Sequence, residues 1–177
     1  MKKILIRTVC AVAMILPLNS TISSAFVREI SAPTESIPEE SLTGVPADEL
    51  NSKADNIIGD YLVDHKGEKS KVRISKNADG SYTAQVFWVQ NRTEKDGSVR
   101  KDTKNPDKSL RNVDCDKIVI FKGLKYDASS NSWTGATIYD PVRGINASLK
   151  ASFKDSKTLS LKGSKMGFSE TVLWTRL

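Results

Sequence analysis

Ile145-Asn146-Ala147-Ser148-Leu149-Lys150-Ala151-Ser152-Phe153 alternates apolar or small residues with polar ones without a break. Successive side chains of a strand point to opposite faces, so Ile145, Ala147, Leu149, Ala151 and Phe153 predict a core face and the polar partners a solvent face. The same pattern recurs on both sides of this stretch. Lys69, Lys71 and Arg73 alternate with Ser70, Val72 and Ile74, and Asn77-Ala78-Asp79-Gly80 then turns the chain into residues 81–89, where Tyr82, Ala84, Val86 and Trp88 share a face. Residues 117–122, 132–139, 157–162 and 171–176, with 57–64 at the start, bring the set to about eight strands, and no amphipathic helical stretch interrupts them. Sequential hairpins favour antiparallel pairing, so the expected fold is all-β. A closed up-and-down barrel is the economical form, since it leaves no unpaired edge.

The 177 residues divide by composition. Lys2, Lys3 and Arg7 precede the apolar run Val9 to Leu18, and Ser23-Ser24-Ala25 supplies small residues for cleavage. Residues 1–25 therefore read as a secretory signal peptide, too short in its apolar run to span a bilayer, and Cys10 lies too early for a lipid anchor. Residues 26–55 hold two basic and seven acidic residues with Pro33, Pro38 and Pro46, which predicts a flexible acidic linker. The barrel is expected over 56–177, with 22 basic against 14 acidic residues. A periplasmic or secreted location follows from the signal. The basic surplus is spread over most strands in a chain only 7% aromatic, which fits a solvated surface, or attraction to anionic envelope material, better than a nucleic-acid groove.

One His and two Cys exclude most metal centres, triad hydrolases and redox-cofactor enzymes, so no cofactor or metal is expected. Once the signal is removed, Cys115 stands alone between Asp114 and Asp116. Like charges disfavour a thiolate, so the residue reads as inert, and the protein as a monomer unless Cys115 pairs with a second copy. His65 lies at a turn, and a catalytic pairing with Cys115 has little support. Residues 91–116 break the meander with a long polar loop, and Asn105 and Pro106 suit the start of a short helix through Arg111.

Three blocks carry a family resemblance: Asp102-Thr103-Lys104-Asn105-Pro106-Asp107-Lys108-Ser109-Leu110-Arg111; Trp133-Thr134-Gly135-Ala136-Thr137-Ile138-Tyr139-Asp140-Pro141-Val142-Arg143-Gly144; and Trp174-Thr175-Arg176. In that order they resemble the exported bacterial family called domain of unknown function 2147. The resemblance covers 57–177 and implies a lipocalin-like (calycin) barrel and Gram-negative export, but no reaction. Where the family usually has Gly-x-Trp, this chain has Gly59-Asp60-Tyr61; where it usually continues Asn-Gly-Lys-x-Tyr, this chain has Arg143-Gly144-Ile145-Asn146-Ala147.

Tyr61 and Arg176 resemble the aromatic and basic pair that closes one end of calycin barrels, and Trp174 shares a strand face with Arg176. They read either as a structural plug or, with Trp88, as lumen residues pairing with a ligand. Asp102, Asn105, Asp107 and Arg111 read as local caps with an internal Asp–Arg pair, or with Tyr139 as a rim site for a polar head group; their spacing does not make a calcium loop. Tyr139-Asp140-Pro141 with Gly144 also makes a simple hairpin turn. Three functions stay open: a non-catalytic binding protein for a small apolar or amphipathic molecule, anionic ones included; an envelope interaction module presenting loop 91–116 to a protein partner; and an enzyme using carboxylates such as Asp102 and Asp107.

Overall fold

The computed structural model describes residues 44–65 and 67–177. The expected signal peptide and residues 26–43 of the expected linker lie outside the described residues. Eight strands follow one another: β1 Gly59–His65, β2 Glu68–Lys76, β3 Tyr82–Val89, β4 Val119–Asp127, β5 Ser132–Asp140, β6 Ile145–Asp155, β7 Thr158–Lys165 and β8 Phe168–Arg176. Each pairs antiparallel with the next, and β1 pairs with β8 to close the barrel. Four turns are fixed by one device, an Asp whose carboxylate accepts from both the N–H and the hydroxyl of the Ser two residues on: Asp79–Ser81, Asp96–Ser98, Asp107–Ser109 and Asp127–Ser129. The serine bonds hold these four carboxyls below the ordinary aspartate range, so the turns keep this support through neutral pH.

The inner face is filled at one end. Tyr61, Tyr82, Trp133, Phe153, Leu124 and Leu159 are each no more than 3% exposed. Trp133 meets Phe153 edge-on at 5.9 Å between centroids, and Phe121 stacks on Trp174 at 6.1 Å. Outward positions along the strands carry Arg73, Lys122, Lys150 and Lys162, all exposed, which is the reverse of the apolar outer band of a membrane-spanning barrel. No helix among the described residues is long and apolar enough to cross a membrane.

The filled end is sealed by residues expected to be linker. Ala47–Asn51 form a short helix, α1, with Asp48 and Glu49 in its first turn, and Ala54–Ile57 form a 3₁₀ turn. Leu50 and Ile57 are fully buried. The Asn51 amide bonds the Phe153 backbone twice, at 3.0 and 2.6 Å. Tyr126 donates to the Asn51 carbonyl at 2.7 Å, the Trp133 indole to the Ala54 carbonyl at 2.9 Å, and Tyr82 to Asp55 at 2.6 Å. The linker boundary expected at 55 is therefore too late: two apolar side chains and polar tips of barrel aromatics order an otherwise acidic, proline-bearing stretch. Leu50→Ala should lower unfolding free energy by about 3 kcal/mol, because the sealed end cannot collapse around the lost volume. Urea titration followed by tryptophan fluorescence would measure it, and a change under about 1 kcal/mol, nearer the size of a surface substitution, would contradict the sealing role.

Candidate functional site

The other end of the barrel opens into a cavity of about 540 Å³. Its origin is small side chains at a few inward positions near this end. Along the inner face of β6, Phe153, Ala151 and Leu149 are buried, whereas Ala147 and Ile145 line the cavity. On β7 the series Leu159, Leu161, Gly163 shrinks to no side chain, and on β8 Trp174 gives way to Val172. The wall is apolar, from Val63, Val72, Val86, Ile118, Ile138 and Leu161, with Trp174 as one aromatic surface.

The mouth is charged. Arg100 pairs with Glu68 and reaches Glu94 at 3.9 Å; Arg143 pairs with Asp140 and Glu170, each at 2.5 Å. Lys69, Lys104 and Lys165 also line the mouth, and among the described residues none of them pairs with a carboxylate. Loop 91–116 is ordered across this end. The Asp102 N–H donates to the Val113 carbonyl at 3.0 Å, Lys101 pairs with Asp114, and Arg92 with Asp116 at 2.6 Å.

Asp102, 4% exposed, faces the cavity beneath this loop. The Tyr139 hydroxyl donates to one of its oxygens at 2.6 Å and the Asn105 amide to the other at 2.7 Å. Burial and the Asp102 carboxylate together push the Tyr139 phenol well above its ordinary range, so it remains a donor at any physiological pH. Burial, and next to it Asp116, likewise push the Cys115 thiol up, although the residue lines the cavity with His65. Among the described residues no group of three His, Cys, Asp or Glu could hold a metal ion.

The nine residues singled out from sequence separate into four places. Trp174, Asp102 and Tyr139 line the cavity. Tyr61 and Arg176 sit at the sealed end, where Arg176 donates to the Asn56 carbonyl, to the Ile58 carbonyl at 3.2 Å and to the Tyr61 hydroxyl at 2.9 Å. Its guanidinium lies over the Tyr61 and Phe153 rings at 5.5 and 4.9 Å, so this pair is a plug and not a lumen site. Trp88 is outside the barrel, 41% exposed under Lys71. The cause is a bulge: Lys71 faces Trp88 but Val72 faces Val86, so Phe87 is an extra residue that reverses the alternation. Asn105, Asp107 and Arg111 build the loop without lining the cavity. Asp107 caps the 3₁₀ turn Lys108–Leu110, the role expected of Asn105, while Arg111 bonds the Asn105 carbonyl at 2.8 Å and forms no aspartate pair. Asp102 and Asp107 therefore do not converge on one site. Sequence reading missed the cavity wall and the lysines of the mouth.

A model of the family described as "Uncharacterized protein conserved in bacteria (DUF2147)" matches residues 59–176. The chain belongs to this family. Among solved structures it is similar to a Helicobacter pylori protein, HP1028, described as belonging to the lipocalin family. The two share 24% identity over 68% of this chain and 82% of that one, with a TM-score of 0.53. No curated protein matches. The likeness establishes a lipocalin-like barrel fold. Ile145 and Ala147, two of the positions where the chain departs from the pattern that the resemblance implies, both fall on the cavity wall.

Gly144 joins the loop to the barrel. It has φ +69°, and a Cβ there would overlap the Lys104 carbonyl oxygen, while Lys104 Nζ donates to the Val142 carbonyl at 2.7 Å. Gly80 has a similar φ of +79° with nothing within 4 Å, so Gly80→Ala isolates the conformational penalty. Gly144→Ala should cost about 1–2 kcal/mol more than Gly80→Ala and speed hydrogen exchange across residues 100–106. Equal costs with unchanged exchange would show that the loop does not depend on this contact.

Proposed function

We propose that this protein is an exported, non-catalytic binding protein whose barrel takes a small amphipathic molecule, its apolar part against Val63, Val72, Ile138, Leu161 and Trp174 and its polar head at the mouth. The observation that carries this reading is the one-ended cavity: a sealed, packed base, an apolar wall and a charged opening. A volume near 540 Å³ lies within the range of small-molecule pockets. Because the exposed carboxylates of the mouth already have cationic partners and Lys69, Lys104 and Lys165 do not, an anionic head fits better than a cationic one. Ile145 and Ala147 keep the wall apolar and leave room at these two positions. Export rests on the signal-like residues 1–25. A barrel that served only as a scaffold for its long loop would gain from filling this volume, since empty apolar space costs stability.

The test is mass. Protein purified after export from a Gram-negative host should carry a discrete mass excess in native spectrometry that disappears on denaturing organic extraction, and the extract identifies the ligand class. Ala147→Trp should leave the fold intact while weakening a fluorescent fatty-acid probe at least about tenfold, since excluding two methylenes forfeits about 1.6 kcal/mol. A bare mass together with no probe binding would refute the proposal.

A further inference from the structure

The two most exposed large apolar residues of the described chain, Met166 at 90% and Phe168 at 83%, sit together at the tip of the β7–β8 hairpin. Lys165 pairs directly with Phe168, leaving Met166-Gly167 as a two-residue turn with φ of 51° and 84°. Positive φ at both positions defines the turn that favours Asn-Gly, and a bulky side chain there is disfavoured. The other non-glycine residue at positive φ is Asn131, the residue type suited to it. Met166 thus breaks two rules at once, holding an unfavourable backbone and an apolar side chain in water, and neither serves the fold.

The setting indicates what the tip meets. Phe168 and Lys165 belong to the cavity mouth, and so does Val142, 47% exposed on the neighbouring β5–β6 turn, which the Arg143–Glu170 ion pair ties to β8. Around these apolar tips stand Lys69, Lys104 and Lys165 without carboxylate partners among the described residues. Apolar side chains at loop tips, on a mouth whose acidic residues Glu68, Glu94, Asp140 and Glu170 are paired with Arg100 and Arg143 and whose lysines are left over, match a bilayer surface with anionic headgroups: the tips enter the headgroup boundary and the ammonium groups stay at the phosphates. We infer that the open end of the barrel docks on an anionic lipid surface through Met166 and Phe168, bringing the cavity mouth against the bilayer. This stands whether or not the cavity holds a ligand.

Vesicles of phosphatidylglycerol and phosphatidylcholine in equal parts, compared with phosphatidylcholine alone, provide the test on the full-length gene product. Because the apolar run Val9 to Leu18 would bind lipid by itself if retained, the readout is placed in the tip. Phe168→Trp should show a blue-shifted difference emission against wild type on adding the anionic vesicles, and quenching by brominated acyl chains. Met166→Asn with Phe168→Ser should lower partitioning about tenfold, while Met166→Asn alone raises the melting temperature because Asn suits the turn. Lys165→Gln should weaken binding about fivefold at low salt. An unshifted difference emission from the Phe168→Trp variant, equal response to both vesicles, or partitioning unchanged in the double variant would each overturn the inference. So would a dimer in native mass that the double variant dissociates, which would assign the tip to a second copy of the chain.

Discussion

The barrel closes over a short seam. β1 and β8 share three residue pairs, against seven between β1 and β2 and eight between β7 and β8. Arg176, at the end of that seam, supplies what the ladder does not. Its guanidinium binds the carbonyls of Asn56 and Ile58 and the Tyr61 hydroxyl, lying over two aromatic rings. A half-buried cation with no carboxylate partner among the described residues is tolerable where carbonyl dipoles and ring faces supply the negative potential. The same contacts hold the 3₁₀ turn Ala54–Ile57 under the barrel, so seam closure and sealing of the base are one interaction. A cavity open at a single end depends on it.

From that base the interior changes by size more than by polarity. Leu161 to Gly163 and Trp174 to Val172 step from large to small toward the mouth, and Ala147 adds a small side chain beside Gly163, all of them apolar or neutral. Eight strands enclose an interior that side chains can just fill. Whether the lumen is solid or hollow is therefore decided by a few positions such as Ala147 and Gly163, where a Cβ on Gly163 would already meet Ala147 and Ile138 at 3.4 Å.

This is also why the strands were legible in the sequence and the site was less so. Alternation marks an inward face whether that face packs against other side chains or lines a void, so residues 145–153 read correctly as a strand while the hollow at 145 and 147 did not show. Trp88 misled because one inserted residue, Phe87, reverses parity, and a bulge leaves no periodic trace. Residues 44–55 read as part of an acidic linker because composition averages over the whole stretch, whereas their order rests on Leu50, on the neighbouring Ile57 and on the polar tips that reach their backbone. Asp102 and Tyr139 were found through their motif. Their meeting depends on the path of a long connection that no local rule specifies.

The two ends of the barrel obey different rules. At the base, polar tips of buried aromatics find carbonyl or carboxylate partners, and Leu50 and Ile57 are fully covered. At the mouth the exceptions gather: a Met in a left-handed turn, a Phe in water, three lysines without acidic partners among the described residues, a buried carboxylate held by neutral donors, and an apolar cavity wall. Each alone is within what a stable fold tolerates. Their concentration at one end is what the proposed binding and docking would require, because stability alone gives no reason to place them together. The apolar wall and the apolar tips are continuous through Phe168, so the proposed docking surface and the space behind it would form one apolar path. If the open end docks as proposed, a molecule with an acyl-like body would pass from the bilayer into that space without its apolar surface crossing bulk water.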